Sequence, residues 1–120
     1  SMKELGIIHD STELRKLIAE NPNLPIAIMV AQDSASEDYC YTYCSDISCS
    51  VAEVLDYDLP FGDGHVFEDK IEFREAIENE LSDFEEFKDM TDAEFDKAVE
   101  AEMQNYKQHW KKVILVRVGN

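Results

Sequence analysis

Near its end the chain runs Val113-Ile114-Leu115-Val116-Arg117-Val118 behind a pair of lysines, Lys111-Lys112. Successive side chains of a β-strand point to opposite faces of its sheet, so a run that is apolar at consecutive positions must be covered on both sides. Its β-branched residues also suit a pleated backbone. The run therefore predicts an interior strand, and an interior strand needs a neighbour on each edge. Three segments qualify. Ile26-Ala27-Ile28-Met29-Val30 is an apolar run of strand length, predicted to be buried on both faces. Residues 39–44 alternate Tyr39, Tyr41 and Tyr43 with Cys40, Thr42 and Cys44, and residues 50–57 supply a third candidate. The first two flank a polar break at residues 32–37, which predicts a hairpin with a long, irregular turn.

Helical signals fill the rest. Asp10-Ser11-Thr12-Glu13 reads as a cap followed by an acid, and Leu14, Leu17 and Ile18 then recur at helical spacing, so a short helix is expected over residues 11–20, stopped by Asn21-Pro22 and Pro25. Residues 58–65 are loop chemistry, with Pro60, Gly62 and Gly64. A second helical pattern starts near Glu68. It places Phe73, Ala76, Ile77, Leu81, Phe84 and Phe87 on one stripe and Glu72, Glu75, Glu78 and Glu86 opposite it. Thr91-Asp92-Ala93-Glu94 is a capping box for a third helix, in which Phe95, Ala98, Val99, Met103, Tyr106 and Trp110 recur and which should end near residues 108–110. These elements compose an α+β fold: a small antiparallel or mixed β-sheet with an N-terminal helix and two acidic amphipathic helices packed on one face. At 120 residues a single domain is expected, with Ser1 read as the remnant of a tag before Met2.

Charge narrows the function. The chain has 27 acidic and 11 basic residues, a net −16. Phosphate binding depends on Lys and Arg, so direct binding to nucleic acid or to an anionic membrane is not expected, and a macromolecular partner should be basic. Residues 1–67 carry a net −9, residues 68–102 a net −11 and residues 103–120 a net +4. No apolar run is long enough to span a bilayer, and the start lacks the basic-then-apolar order of a secretory signal, so a cytoplasmic protein is expected.

All three cysteines, Cys40, Cys44 and Cys49, fall in one stretch with the spacing C-x3-C-x4-C. On a straight strand Cys40 and Cys44 would share a face roughly 13 Å apart at about 3.3 Å per residue, beyond the reach of two zinc–thiolate bonds of about 2.3 Å, so no metal and no cofactor is expected. A small regulatory or metal-responsive domain built on these cysteines is the alternative reading. An EF-hand loop starting at Asp56 fails, because Phe61 stands where glycine is required and Phe67 where the bidentate glutamate belongs. His9, His65 and His109 have no nucleophile beside them, and no phosphate loop, G-x-S-x-G or H-E-x-x-H is present. A non-enzymatic protein is expected, with no catalytic residues. The acidic row Glu72, Glu75, Glu78 and Glu86 is its candidate partner-binding face, imitating nucleic-acid phosphates. One helix with acids at every third residue spaces them about 4.5 Å apart along its axis, sparser than the roughly 1.7 Å per charge of a duplex, so further acidic edges would have to contribute.

The segment Leu14-Arg15-Lys16-Leu17-Ile18-Ala19-Glu20-Asn21-Pro22-Asn23-Leu24-Pro25-Ile26, the Tyr/Cys stretch, the acidic helices and Trp110-Lys111-Lys112-Val113-Ile114 together resemble a type of small acidic protein encoded by phages and prophages of Gram-positive gut bacteria. The resemblance covers nearly the whole chain and lies at scaffold positions. It implies an accessory or anti-defence role, such as an anti-CRISPR or anti-restriction inhibitor that blocks a host nuclease or other nucleic-acid-binding protein. A structural or assembly accessory protein of a virion is a further alternative.

Overall fold

The computed structural model describes residues 2, 4–31 and 41–119. Over these the chain is α+β, with three α-helices and a three-stranded mixed sheet: α1 (Thr12–Glu20), β1 (Ile26–Val30), β2 (Asp46–Leu55), α2 (Lys70–Ser82), α3 (Asp92–Gln104) and β3 (Trp110–Gly119). The two-faced apolar run lies in the interior strand. The sheet order is β1-β3-β2, and Val113, Ile114, Leu115 and Val116 are all buried.

Several expectations change around that strand. β1 pairs parallel with β3, from Ile26 opposite Ile114 to Val30 opposite Val118, and β3 lies between β1 and β2. The hairpin expected between residues 26–30 and 39–44 falls partly outside the described residues, and residues 41–44 of its second strand are not in a strand. A strand covered on both faces offers two edges, and a parallel partner needs a long connection rather than a tight turn. β1 is therefore an edge strand among the described residues, and it is not buried on both faces: Ile26, Ile28 and Val30 are 49%, 66% and 58% exposed. Ala27 and Met29, on the opposite face, are half-buried. Tyr41, Thr42, Tyr43 and Cys44 are not in a strand, while Tyr39, Cys40 and the polar break lie outside the described residues. The strand expected over residues 50–57 instead starts at Asp46 and ends at Leu55.

The chain divides into two compact units, residues 1–52 with 112–120, and residues 53–111. In the first, α1 starts one residue later than its expected position. Asp10 Oδ1 accepts hydrogen bonds from the hydroxyl and the amide of Thr12, at 2.6 and 2.9 Å, whereas Ser11 makes no side-chain cap. Those two bonds, the hydroxyl foremost, hold the Asp10 carboxyl below its ordinary pKa. Asn21 closes the helix, its side-chain amide donating to the Leu17 carbonyl at 3.0 Å.

In the second unit, Asp69 caps α2 by accepting from the Ile71 amide at 2.8 Å, and Phe73, Ile77 and Leu81 bury one stripe. The helix stops sooner than its apolar periodicity predicts. Its last turn holds Glu80 and no base, Asp83 follows, and carboxylates at a helix C-terminus oppose the negative end of the dipole. The Ser82 hydroxyl also donates to the Asn79 carbonyl at 2.8 Å, a local bond that competes with continuation. Phe84 consequently sits in extended backbone and Phe87 on a short 3₁₀ turn, Glu85–Phe87. The Thr91/Glu94 capping box forms as predicted, with both bonds at 3.2 Å. α3 ends at Gln104 rather than near residues 108–110, and after a 3₁₀ turn, Lys107–His109, Trp110 opens β3 instead of closing a helix.

The core of this unit gathers around Phe73, which has no exposed surface. The rings of Phe67, Tyr106 and Trp110 meet it edge-on, with centroids 5.3, 5.6 and 5.7 Å away. Leu55, Leu59, Ile77, Leu81 and Val99 complete the buried cluster. Edge-to-face aromatic pairs add about 0.5–1.5 kcal/mol each beyond area burial. Phe73→Ala is expected to lower unfolding free energy by about 3–5 kcal/mol, the range for buried aromatic truncation, as read from urea titration of the tryptophan fluorescence of Trp110.

Candidate acidic surface and groove

Residues 53–111 contain 19 acidic and 6 basic residues, a net −13, against 8 and 5, a net −3, in the rest of the chain. The excess acid thus belongs to the unit that holds the aromatic core. The four acids expected to form one row are placed differently by the fold. Glu72, Glu75 and Glu78 lie on α2, whereas Glu86 is on the separate 3₁₀ turn and leaves that row. Glu72 Oε1 lies 3.4 Å from His65 Nε2, and Glu78 bonds to Arg74. Glu75 and Glu86 are exposed and have no cationic partner among the described residues.

Arg74 gathers three of the paired acids. Its Nε meets Glu78 Oε1 at 3.0 Å one turn along α2, its Nη2 meets Asp96 Oδ1 at 3.4 Å, and its Nη1 binds Glu100. Asp96 and Glu100 are one turn apart on α3, so one planar guanidinium fastens two helices through three carboxylates. Partial burial opposes the charge on Arg74, but the hydrogen bonds and attraction of Glu100, then of Glu78, more than offset it and raise its pKa. An arginine among acids at i+4 spacing was readable from sequence. Its two partners on α3, 22 and 26 residues away, carried no signal beyond being acids.

Sequence periodicity also missed a groove in the same unit, about 430 Å³ in volume. Phe61, Leu81, Phe84 and Phe87 give it an apolar lining, with the Phe84 and Phe87 rings edge-on at 6.4 Å and Phe84 46% exposed. Glu80, Glu86 and Glu102 line it too, and no base does. The Tyr106 hydroxyl donates to Glu102 Oε1 at 3.2 Å. Burial, then the charge of Glu102, pushes that hydroxyl above its ordinary pKa.

The first unit has its own cavity, about 510 Å³, lined by His9, Asp10, Glu13, Ser48 and Cys49 among others. His9 Nε2 donates to the Cys44 carbonyl at 2.8 Å, and the Cys44 thiol donates to the Asp46 carbonyl at 2.9 Å. Cys44 and Cys49 are free thiols, and Cys40 lies outside the described residues. Among the described residues no three His, Cys, Asp or Glu side chains are grouped to hold a metal ion. Because residues 41–44 are not in a strand, the straight-strand distance between Cys40 and Cys44 does not apply. No helix is long and apolar enough to cross a membrane among these residues. Comparison with protein-family models, curated proteins and solved structures gives no match. Function therefore has to be argued from the chemistry of these surfaces.

Two outcomes follow from the charge arrangement. Arg74→Met leaves Glu78, Asp96 and Glu100 facing one another without a cation; its urea midpoint should fall at low ionic strength and recover part of the loss in molar salt, where the Debye length shrinks to about 3 Å. The folded chain holds the Tyr106 proton more tightly than the unfolded chain does. That contribution to stability is complete below the ordinary tyrosine pKa of about 10 and is lost as pH rises through the raised value, so Tyr106→Phe should flatten the alkaline limb of a stability–pH curve.

Proposed function

We propose that this is a non-enzymatic binding protein whose acidic unit, residues 53–111, engages the basic surface of a nucleic-acid-handling protein and occludes it. The observation that carries the reading is the net −13 on those residues, with Glu75, Glu80, Glu86 and Glu102 left without cationic partners among the described residues. A cation-binding groove that normally follows phosphates offers Lys and Arg at close intervals, and exposed carboxylates exchange for phosphate without base readout. The acids come from α2, from the turn after it and from α3, the further acidic edges that a single helical row lacks. A field of this sign speeds encounter with a basic partner and makes association depend steeply on salt. The accessory, anti-defence role implied by the phage and prophage resemblance is consistent with such an inhibitor.

The test is capture from host lysate at low salt, release at high salt, and competition of the captured protein by duplex DNA. Replacing Glu72, Glu75, Glu78 and Glu86 together by Gln should slow association by about tenfold, within the range that electrostatic steering covers, and flatten its salt dependence. Glu75→Gln and Glu86→Gln should account for most of the change, because Glu78 is already bound to Arg74. Unaltered association of the fourfold variant, or capture insensitive to both salt and DNA, would remove the proposal.

A further inference from the structure

We infer that the groove beside α2 is the anchor point of the acidic surface, and that it takes a protein segment with an aromatic or branched apolar side chain flanked by Lys or Arg. The inference rests on the proposed function and adds the chemistry of the contact. Charge alone does not explain the groove. An acidic surface kept for solubility has no use for a half-exposed phenylalanine, yet Phe84 is 46% exposed in the most acidic part of the chain. It is held there because α2 stops at Ser82 and the backbone turns extended at Phe84, so the ring meets Phe87 rather than closing onto the apolar stripe of the helix.

Two kinds of recognition converge on this place. The lining of Phe61, Leu81, Phe84 and Phe87 is apolar, and a volume of about 430 Å³ falls in the range of pockets that accept a compact side chain or small ligand. The carboxylates in the lining, Glu80, Glu86 and Glu102, are all of one sign, and none has a Lys, Arg or His partner among the described residues. An acidic or neutral ligand would leave these three charges uncompensated on desolvation. A cationic amphipathic segment satisfies both requirements: its apolar side chain covers the phenylalanines while its Lys or Arg groups meet the carboxylates. Arginine over the Phe84 or Phe87 ring would add a cation–π contact. The Tyr106 hydroxyl, donating to Glu102 Oε1 at 3.2 Å, orients one of the carboxylates before anything binds. Binding energy at protein interfaces concentrates on such buried aromatic anchors ringed by polar groups.

The experiment titrates the full chain with fluorescein-labelled peptides followed by anisotropy. One probe is a short lysine-rich peptide carrying tryptophan, the second an oligolysine of equal charge, the third the tryptophan peptide with glutamate in place of lysine. The tryptophan–lysine peptide should bind at least about tenfold more tightly than oligolysine, about 1.4 kcal/mol, and the glutamate peptide should not bind. Phe84→Ser should erase the advantage of tryptophan while oligolysine binding and the urea midpoint hold, since the ring it removes is largely outside the core. Glu80→Gln with Glu86→Gln should weaken both cationic probes. If oligolysine and the tryptophan peptide bind equally and Phe84→Ser alters neither, the groove is not the anchor, while the acidic-surface function stands. If neither cationic probe binds, both fail. Equal binding of the glutamate peptide would overturn the assignment of a cationic occupant.

Discussion

The packing of Phe73 is the contact on which the acidic unit depends. It is fully buried, and the three rings that meet its edges come from three different segments: Phe67 from the loop before α2, Tyr106 from the turn after α3, and Trp110 from the first residue of β3. A segment with a net charge of −13 resists compaction, because carboxylates brought together on a small surface repel one another. Aromatic burial at its centre offsets that repulsion and leaves the acids where water and counterions screen them.

Among the described residues only one cation, Arg74, is placed to relieve several of those acids at once. Arg74 sits immediately after Phe73 in sequence, so the turn of α2 that buries the ring also presents the guanidinium to Glu78, Asp96 and Glu100. The burial of the aromatic cluster and the ionic contacts between α2 and α3 thus issue from adjacent residues. The ion pairs are half-exposed, and their value is in pairing charges that would otherwise oppose the helix contact rather than in large net stability.

The break after α2 links the fold to the proposed function. Poor helix formers and unopposed carboxylates at its C-terminus end the helix at Ser82. Phe84, Glu86 and Phe87 are thereby moved off the helical faces that a continuous helix would give them. Glu86 leaves the row of Glu72, Glu75 and Glu78 and enters the lining of an aromatic groove. A solvated acidic helix and a recognition surface differ in this respect: the first presents charge alone, whereas here charge borders exposed aromatic surface.

How much was legible follows from the range of the forces involved. The interior strand was readable because four consecutive apolar residues, 113–116, leave a strand no face for water. The capping box at Thr91 and the buried stripe of Phe73, Ile77 and Leu81 were readable because their partners lie within a turn or two. β1 was readable as a strand but not as a parallel edge, since its own five residues do not state which strand will lie beside them. Glu72, Glu75, Glu78 and Glu86 were likewise visible as acids, but their state was not: Glu78 is bound by Arg74, and Glu86 lies outside α2 at the groove. The sequence by itself determined the three helices, the interior strand, the acidic excess and its concentration in residues 68–102, because these depend on composition and on contacts a few residues apart. Only the tertiary structure decided the strand order, the carboxylates that Arg74 neutralises and the opening beside Phe84, because each depends on groups brought together by folding from positions that local periodicity does not relate.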